Sequence, residues 1–153
     1  MGIIGDDIAG INSRFNHVLE GHPDRLFLMA GTNDVSHQLS TDEIVSQLAA
    51  LVDRILRESP QTRLVLQSLL PINESFGRYS RLTGKTDQIP QINERLQQLA
   101  QQRGIPYVNL FPLFCENGTT VLRSELTTDG LHLNKKGYDI WCKALNSISL
   151  QAK

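Results

Sequence analysis

The sequence predicts a three-layer α/β domain built on a parallel sheet, and two observations carry that prediction. Three short apolar runs, RLFLMAG (Arg25–Gly31), TRLVLQSLLP (Thr62–Pro71) and IPYVNL (Ile105–Leu110), are bounded by Gly, Pro or polar residues. Runs of this kind are the mark of strands buried on both faces. Segments of helical period lie around and between them. The resulting order, helix, strand, helix, strand, helix, strand, helix, is that of βαβ units.

Each helix has its own local signal. Ile8, Ile11, Phe15, Val18 and Leu19 recur at steps of three and four and form the first apolar stripe. The second begins at Ser40, a predicted N-cap with Glu43 three residues on completing a capping box, and runs through STDEIVSQLAALVDRILRES. Pro90 in the first turn and Gly104 past the end bracket the third. The last runs from about Lys135 to Ser149. The stretch INESFGRYSRLTGKTDQ has no clear period and reads as a long loop at the carboxyl end of the second strand, where α/β folds place ligand sites. A plain surface excursion is the other reading of it.

The 153 residues suit one domain, with a hydrophobic fraction of 40% and a charged fraction of 20%. Fifteen basic against sixteen acidic residues give no electrostatic footprint for nucleic acid or an anionic membrane. No run approaches the roughly 18 apolar residues of a membrane span. Cys115 and Cys142 have neither CxxC spacing nor a His cluster beside them, so they read as partly buried thiols rather than a disulfide or metal ligands. No metal site and no organic cofactor is expected.

Three short motifs carry candidate chemistry. AGTNDVSH follows the first strand, and an Asn there, Asn33, can aim an amide into a cleft to hold an oxyanion, although Asn and Asp also suit an ordinary turn. In TTDGLHLNKKGYDIW, Asp129 and His132 lie three residues apart. A carboxylate on one imidazole nitrogen fixes the tautomer and leaves the other nitrogen as a base. The same spacing would arise if Asp129 capped the last helix and His132 were a solvated first-turn residue. GIIGDD places Gly5 before a helix, where a backbone N–H can serve an anion. Arg78, Tyr79 and Arg81 of the long loop are candidate substrate contacts.

GIIGDD, GTND and DGLHLN, in that order in an α/β chain, resemble the SGNH hydrolases, also called GDSL-like lipases and acylhydrolases. The resemblance runs from Gly2 to about Ser147. It implies a flavodoxin-like three-layer fold, with Gly5 and Asn33 as oxyanion donors, Asp129 as orienter and His132 as base. It implies hydrolysis of a carboxylic ester by a Ser-His-Asp mechanism. The long-loop and third-helix region looks like bacterial esterases of this family that remove acetyl or short acyl groups from sugars or lipids.

One departure stands out. The family's nucleophile sits in a Gly-Asp-Ser block, and none precedes Gly5. Ser13 and Ser68 fall within a helix and a strand, and Ser36 and Ser40 lie beyond the asparagine turn, so none is a natural substitute. The family's first strand, first helix and second strand are missing too. Their absence would leave Arg25–Gly31 as an exposed apolar sheet edge, a surface through which copies could pair. The expectation is a single domain over 1–153, incomplete at its N-terminus, either through genuine truncation or because Met1 is an internal methionine taken as the start. The compartment would be cytoplasmic if Met1 is the true start and secreted or periplasmic if a leader is missing. Two rivals follow: a non-catalytic module of the same fold holding an acylated sugar, and a flavodoxin-like domain for a phosphorylated ligand. The lack of a glycine-rich phosphate loop disfavours the second rival.

Overall fold

The computed structural model of the chain describes residues 7–21 and 23–151. They fall into two compact units, one of residues up to Leu69 together with Gln88–Asn109, the other of Leu70–Asp87 together with residues from Leu110 onward.

The first unit holds the parallel sheet. Strands β1 (Arg25–Leu28), β2 (Arg63–Gln67) and β3 (Tyr107–Val108) lie in the order β1-β2-β3, with Leu26 opposite Leu64 and Leu66 opposite Tyr107. Each strand is shorter than its apolar run because only part of the run forms ladder bonds. Helices α1 (Ile8–Glu20), α3 (Thr41–Glu58) and α4 (Gln88–Arg103) belong to this unit, with α3 packed on both α1 and α4. Their apolar stripes are buried: Ile8, Ile11 and Phe15 from α1, Ile44, Leu48, Leu51, Val52 and Ile55 from α3, and Ile89, Ile92 and Leu96 from α4. Among the described residues β1 is an edge of this sheet, yet its Leu26 and Leu28 are buried rather than exposed as expected.

The helix ends form as their local chemistry dictates, at the predicted Ser40 and Gly104 and at Asp7, which was not singled out. The Ser40 hydroxyl accepts from the Glu43 amide at 3.1 Å, and Asp7 caps α1 by accepting from Gly10 at 2.7 Å. Beyond α4, Gly104 takes φ +68° while the Ile105 amide reaches back to the Ala100 carbonyl at 3.0 Å, closing a Schellman turn. The end of β2 is held by a side chain. Buried Asn93 of α4 accepts from the Leu69 amide at 2.7 Å and donates to the Leu69 carbonyl at 3.1 Å.

The second unit has little regular structure before its last helix. It contains a short helix α5 (Phe111–Phe114), three 3-10 turns (Glu74–Phe76, Ser80–Leu82 and Ser124–Leu126) and α6 (Lys135–Gln151). Isolated bridges tie it together, Ile72 with Val121, Cys115 with Leu122 and Thr127 with Leu133. Both cysteines are free; Cys142 is exposed rather than partly buried, and burial pushes the Cys115 thiol up to about 11. Among the described residues no helix is long and apolar enough to cross a membrane.

Candidate active site

The segment Thr127–His132 is folded back on itself by its own side chains. The Thr127 hydroxyl accepts from the Gly130 amide at 2.9 Å and donates to the His132 carbonyl at 2.6 Å. Asp129 then divides its carboxylate between two tasks. Its Oδ1 accepts from the backbone amides of Leu131 at 2.9 Å and His132 at 2.7 Å, which closes the turn. Its Oδ2 faces the His132 ring, 2.7 Å from Nδ1. The three-residue spacing is thus what one tight turn needs to bring carboxylate and imidazole together.

The geometry also shows which residue caps the last helix. Asp129 is not the cap of the last helix, because Asn134 performs that task, with Oδ1 accepting from the Gly137 amide at 3.1 Å. The pair stands apart from the cap. With Nδ1–H donated to Asp129, the imidazole carries its lone pair on Nε2. The His132 side chain is 59% exposed and that of Asp129 17%, so the ring is open to a ligand while the carboxylate lies behind it.

Burial alone would raise the Asp129 carboxyl. Donation from the His132 ring, from the His132 and Leu131 amides and from the Tyr79 hydroxyl outweighs it, and the carboxyl is held well below the usual range. The pair therefore keeps its negative member charged at every ordinary pH.

The long loop supplies the third member of the cluster. Tyr79 places its hydroxyl 2.8 Å from Asp129 Oδ2 and 3.1 Å from His132 Nδ1, with its ring edge-on to the imidazole. The loop is a strap fixed at several points. The Asn73 amide donates to the Gly130 carbonyl at 2.8 Å, its side chain donates to the Leu122 carbonyl at 2.9 Å, and its Oδ1 accepts from the Ser75 amide at 3.0 Å. Glu74 accepts from the Gly84 amide at 2.5 Å and from the Thr86 hydroxyl, and the Thr86 bond foremost lowers its pKa. Gly130 makes the close approach feasible. It has φ +89°, and a Cβ there would stand 2.3 Å from the Asn73 carbonyl oxygen. Beneath the strap lies a cavity of about 130 Å³, with Arg78, Tyr79, Ser80, Thr83 and Asp129 in its wall.

Of the residues singled out from sequence, Asp129, His132 and Tyr79 are in contact, and Arg78 shares a cavity wall with Tyr79 and Asp129. Arg81 lies in the turn Ser80–Leu82 and is not part of that wall. Gly5 lies outside the described residues. Asn33 belongs to the first unit, in the first turn of a short helix α2 (Thr32–Ser36) that stands where a plain turn was the alternative. Gly31 before it takes φ +134°, and a Cβ would crowd Leu69 and Ile44 at 3.3 and 3.4 Å. The aspartate of the same motif, Asp34, is buried and accepts from the Ile8 amide at 3.1 Å, so it ties this corner to the start of α1. Asn73 and Gly130 went unnoticed in the sequence. Their roles are contacts with residues distant in sequence, made by Asn73 through both backbone and side chain and by Gly130 through its backbone, and only Asn-Glu-Ser and Asp-Gly hinted at turns. The serines weighed as substitutes have structural tasks: Ser13 and Ser36 donate to the Gly10 and Asn33 carbonyls, Ser40 caps α3 and Ser68 is buried.

Known proteins are similar to this chain in sequence and in fold. The chain is 27% identical to platelet-activating factor acetylhydrolase IB subunit alpha1 of Rattus norvegicus, over 98% of this chain and 62% of that protein. It thus spans less than two thirds of that relative's length. A GDSL-like lipase of Bacteroides thetaiotaomicron superposes with a TM-score of 0.86 at 24% identity, covering 100% of this chain and 75% of the other. An acetyl xylan esterase superposes with a TM-score of 0.78 at 22% identity, covering 97% and 78%. At these identities the two structures establish a common α/β fold. The family model of GDSL-like lipases and acylhydrolases matches residues 1–140, a span that takes in the sheet, the strap and the Asp129–His132 turn, and the chain belongs to that family.

Proposed function

We propose that the chain carries the acid–base half of a serine esterase, and that the ester it serves joins a short acyl or acetyl group to a sugar or lipid. The observation that carries this reading is the 2.7 Å contact of His132 Nδ1 with an Asp129 carboxylate whose other oxygen is locked into the turn. In the proposed reaction a serine oxygen attacks the ester carbonyl and His132 Nε2 takes its proton. The Gly5 N–H and the Asn33 amide hold the tetrahedral oxyanion. His132 then returns the proton to the departing alcohol, and a water molecule, activated by the same nitrogen, releases the acid. Arg78, Tyr79 and Arg81 are the proposed substrate contacts. The acyl chemistry is consistent with the family and with the acetyl xylan esterase among the similar structures.

The 153 residues contain no Gly-Asp-Ser, so this stretch alone is expected to show little or no serine-dependent hydrolysis of p-nitrophenyl acetate. The test extends the chain to whatever reading frame lies upstream in its gene. A longer chain bearing Gly-Asp-Ser should label with a fluorophosphonate and lose that label on His132→Gln. A serine-bearing chain that stays unlabelled would refute the proposal, and labelling of the 153 residues alone would refute the assignment of the nucleophile.

A second reading is a non-catalytic module that holds an acylated sugar in the cavity of about 130 Å³ beneath the strap. Preferential binding of an acetylated over a deacetylated sugar, without turnover, would select it.

A further inference from the structure

Tyr79 touches both members of the Asp129–His132 pair, although it comes from a loop fifty residues before Asp129. With Oδ1 of Asp129 occupied by two backbone amides, Oδ2 is left to receive two donors, the His132 ring and the Tyr79 hydroxyl. We propose that Tyr79 is a positioning residue for this pair: its hydroxyl shares the Asp129 carboxylate with the imidazole, fixing the ring and lowering its basicity.

The strap makes this placement a built feature. Asn73 pins one side of it and Glu74 latches onto Gly84 and Thr86 on the other, so Tyr79 is carried between two anchored points. A hydrogen bond into Oδ2 draws carboxylate charge toward the phenol, and less remains to stabilise an imidazolium beside it. The second contact, 3.1 Å to Nδ1, limits rotation of the ring about its Cβ–Cγ bond. Tyr79 is poorly suited to act as a nucleophile itself. Its bond to Asp129 raises the phenol pKa, which keeps the proton on the oxygen.

This inference rests on His132 being the base of the pair, and the test separates the two ideas. Histidine-labelled 153-residue chain is titrated by NMR below pH ~8, under the ordinary tyrosine pKa of about 10, with the His132 ring signal identified by its loss in His132→Gln. A ring-fluorinated tyrosine placed at position 79 keeps the shape but donates more strongly, and should lower the His132 midpoint by a few tenths of a pH unit. Tyr79→Phe removes the donor and should raise it, with the amide spectrum confirming that the fold is kept. Identical midpoints in the fluorinated and natural proteins would overturn the role of Tyr79. Asp129→Asn should lower the midpoint by more than either change at position 79. An unaltered midpoint in that variant would sink the pair itself, whatever Tyr79 does.

Discussion

In the first unit Leu48, Leu51 and Ile55 of α3 are wholly buried among the side chains of a sheet-and-helix core, and the polar bonds are largely those of the backbone and its caps. In the second unit the segments around the candidate site are held by side chains bonded to backbone: Asn73 to Leu122, Thr127 to Gly130 and His132, Asp129 to Leu131 and His132. Burial is non-directional, whereas hydrogen bonds fix donor and acceptor to within tenths of an ångström. Burial dominates the first arrangement, and directional bonds position the Asp129–His132–Tyr79 cluster in the second.

Substitutions should separate these two modes by size and by readout. The largest effect is expected at Leu48→Ala, where loss of a fully buried side chain should cost about 2–5 kcal/mol in denaturant unfolding. Gly130→Ala should come next, at roughly 1–3 kcal/mol, because the added methyl meets the Asn73 carbonyl and the backbone has φ +89°. Its distinguishing sign is separation of Tyr79 from His132, visible as loss of ring-to-ring NMR contacts. A Gly130→Ala protein with those contacts intact would break the account of the strap. Asn73→Ala removes side-chain bonds to Leu122 and Ser75 and should cost about 1 kcal/mol, with faster hydrogen exchange at the Ser75 amide.

The smallest effect depends on pH. Glu74 has its folded pKa lowered, by the Thr86 hydroxyl first and the Gly84 amide second. A lowered folded pKa means the contribution is present above the ordinary glutamate value and is lost as pH falls through the folded one. Glu74→Gln should therefore weaken the strap slightly at neutral pH and make no difference in acid. Since Glu74 is exposed, the difference belongs in local exchange at Gly84 rather than in global stability. Asp129 follows the same sign in the same direction, with burial opposing and donation from His132 prevailing.

The sequence made the first unit legible because its signals are periodic and local. Apolar stripes at steps of three and four, Ser40 with Glu43, and Gly104 after α4 each produce their element without reference to the rest of the chain. In the second unit the last helix was legible too, but around the candidate site only a compact motif could be read. Asp129 and His132 could be paired because one turn joins them, but whether Asp129 capped α6 turned on Asn134, the residue directly before the predicted helix start, whose N-cap signal went unnoticed. Tyr79 could be selected as a loop residue with useful chemistry, yet its contact with both members of the pair arises from anchors at Asn73, Glu74 and Gly130. Asp34 shows the converse. A motif residue that invites a catalytic reading serves to receive the first amide of α1.

The most direct test of the central claim is the rate at which a serine-bearing longer chain hydrolyses p-nitrophenyl acetate, compared with its Asp129→Asn variant. If Asp129 orients His132 as a base, kcat should fall on the order of 10⁴-fold, as when the carboxylate of a serine-protease triad is neutralised. A folded Asp129→Asn enzyme that retains its full rate would contradict the account.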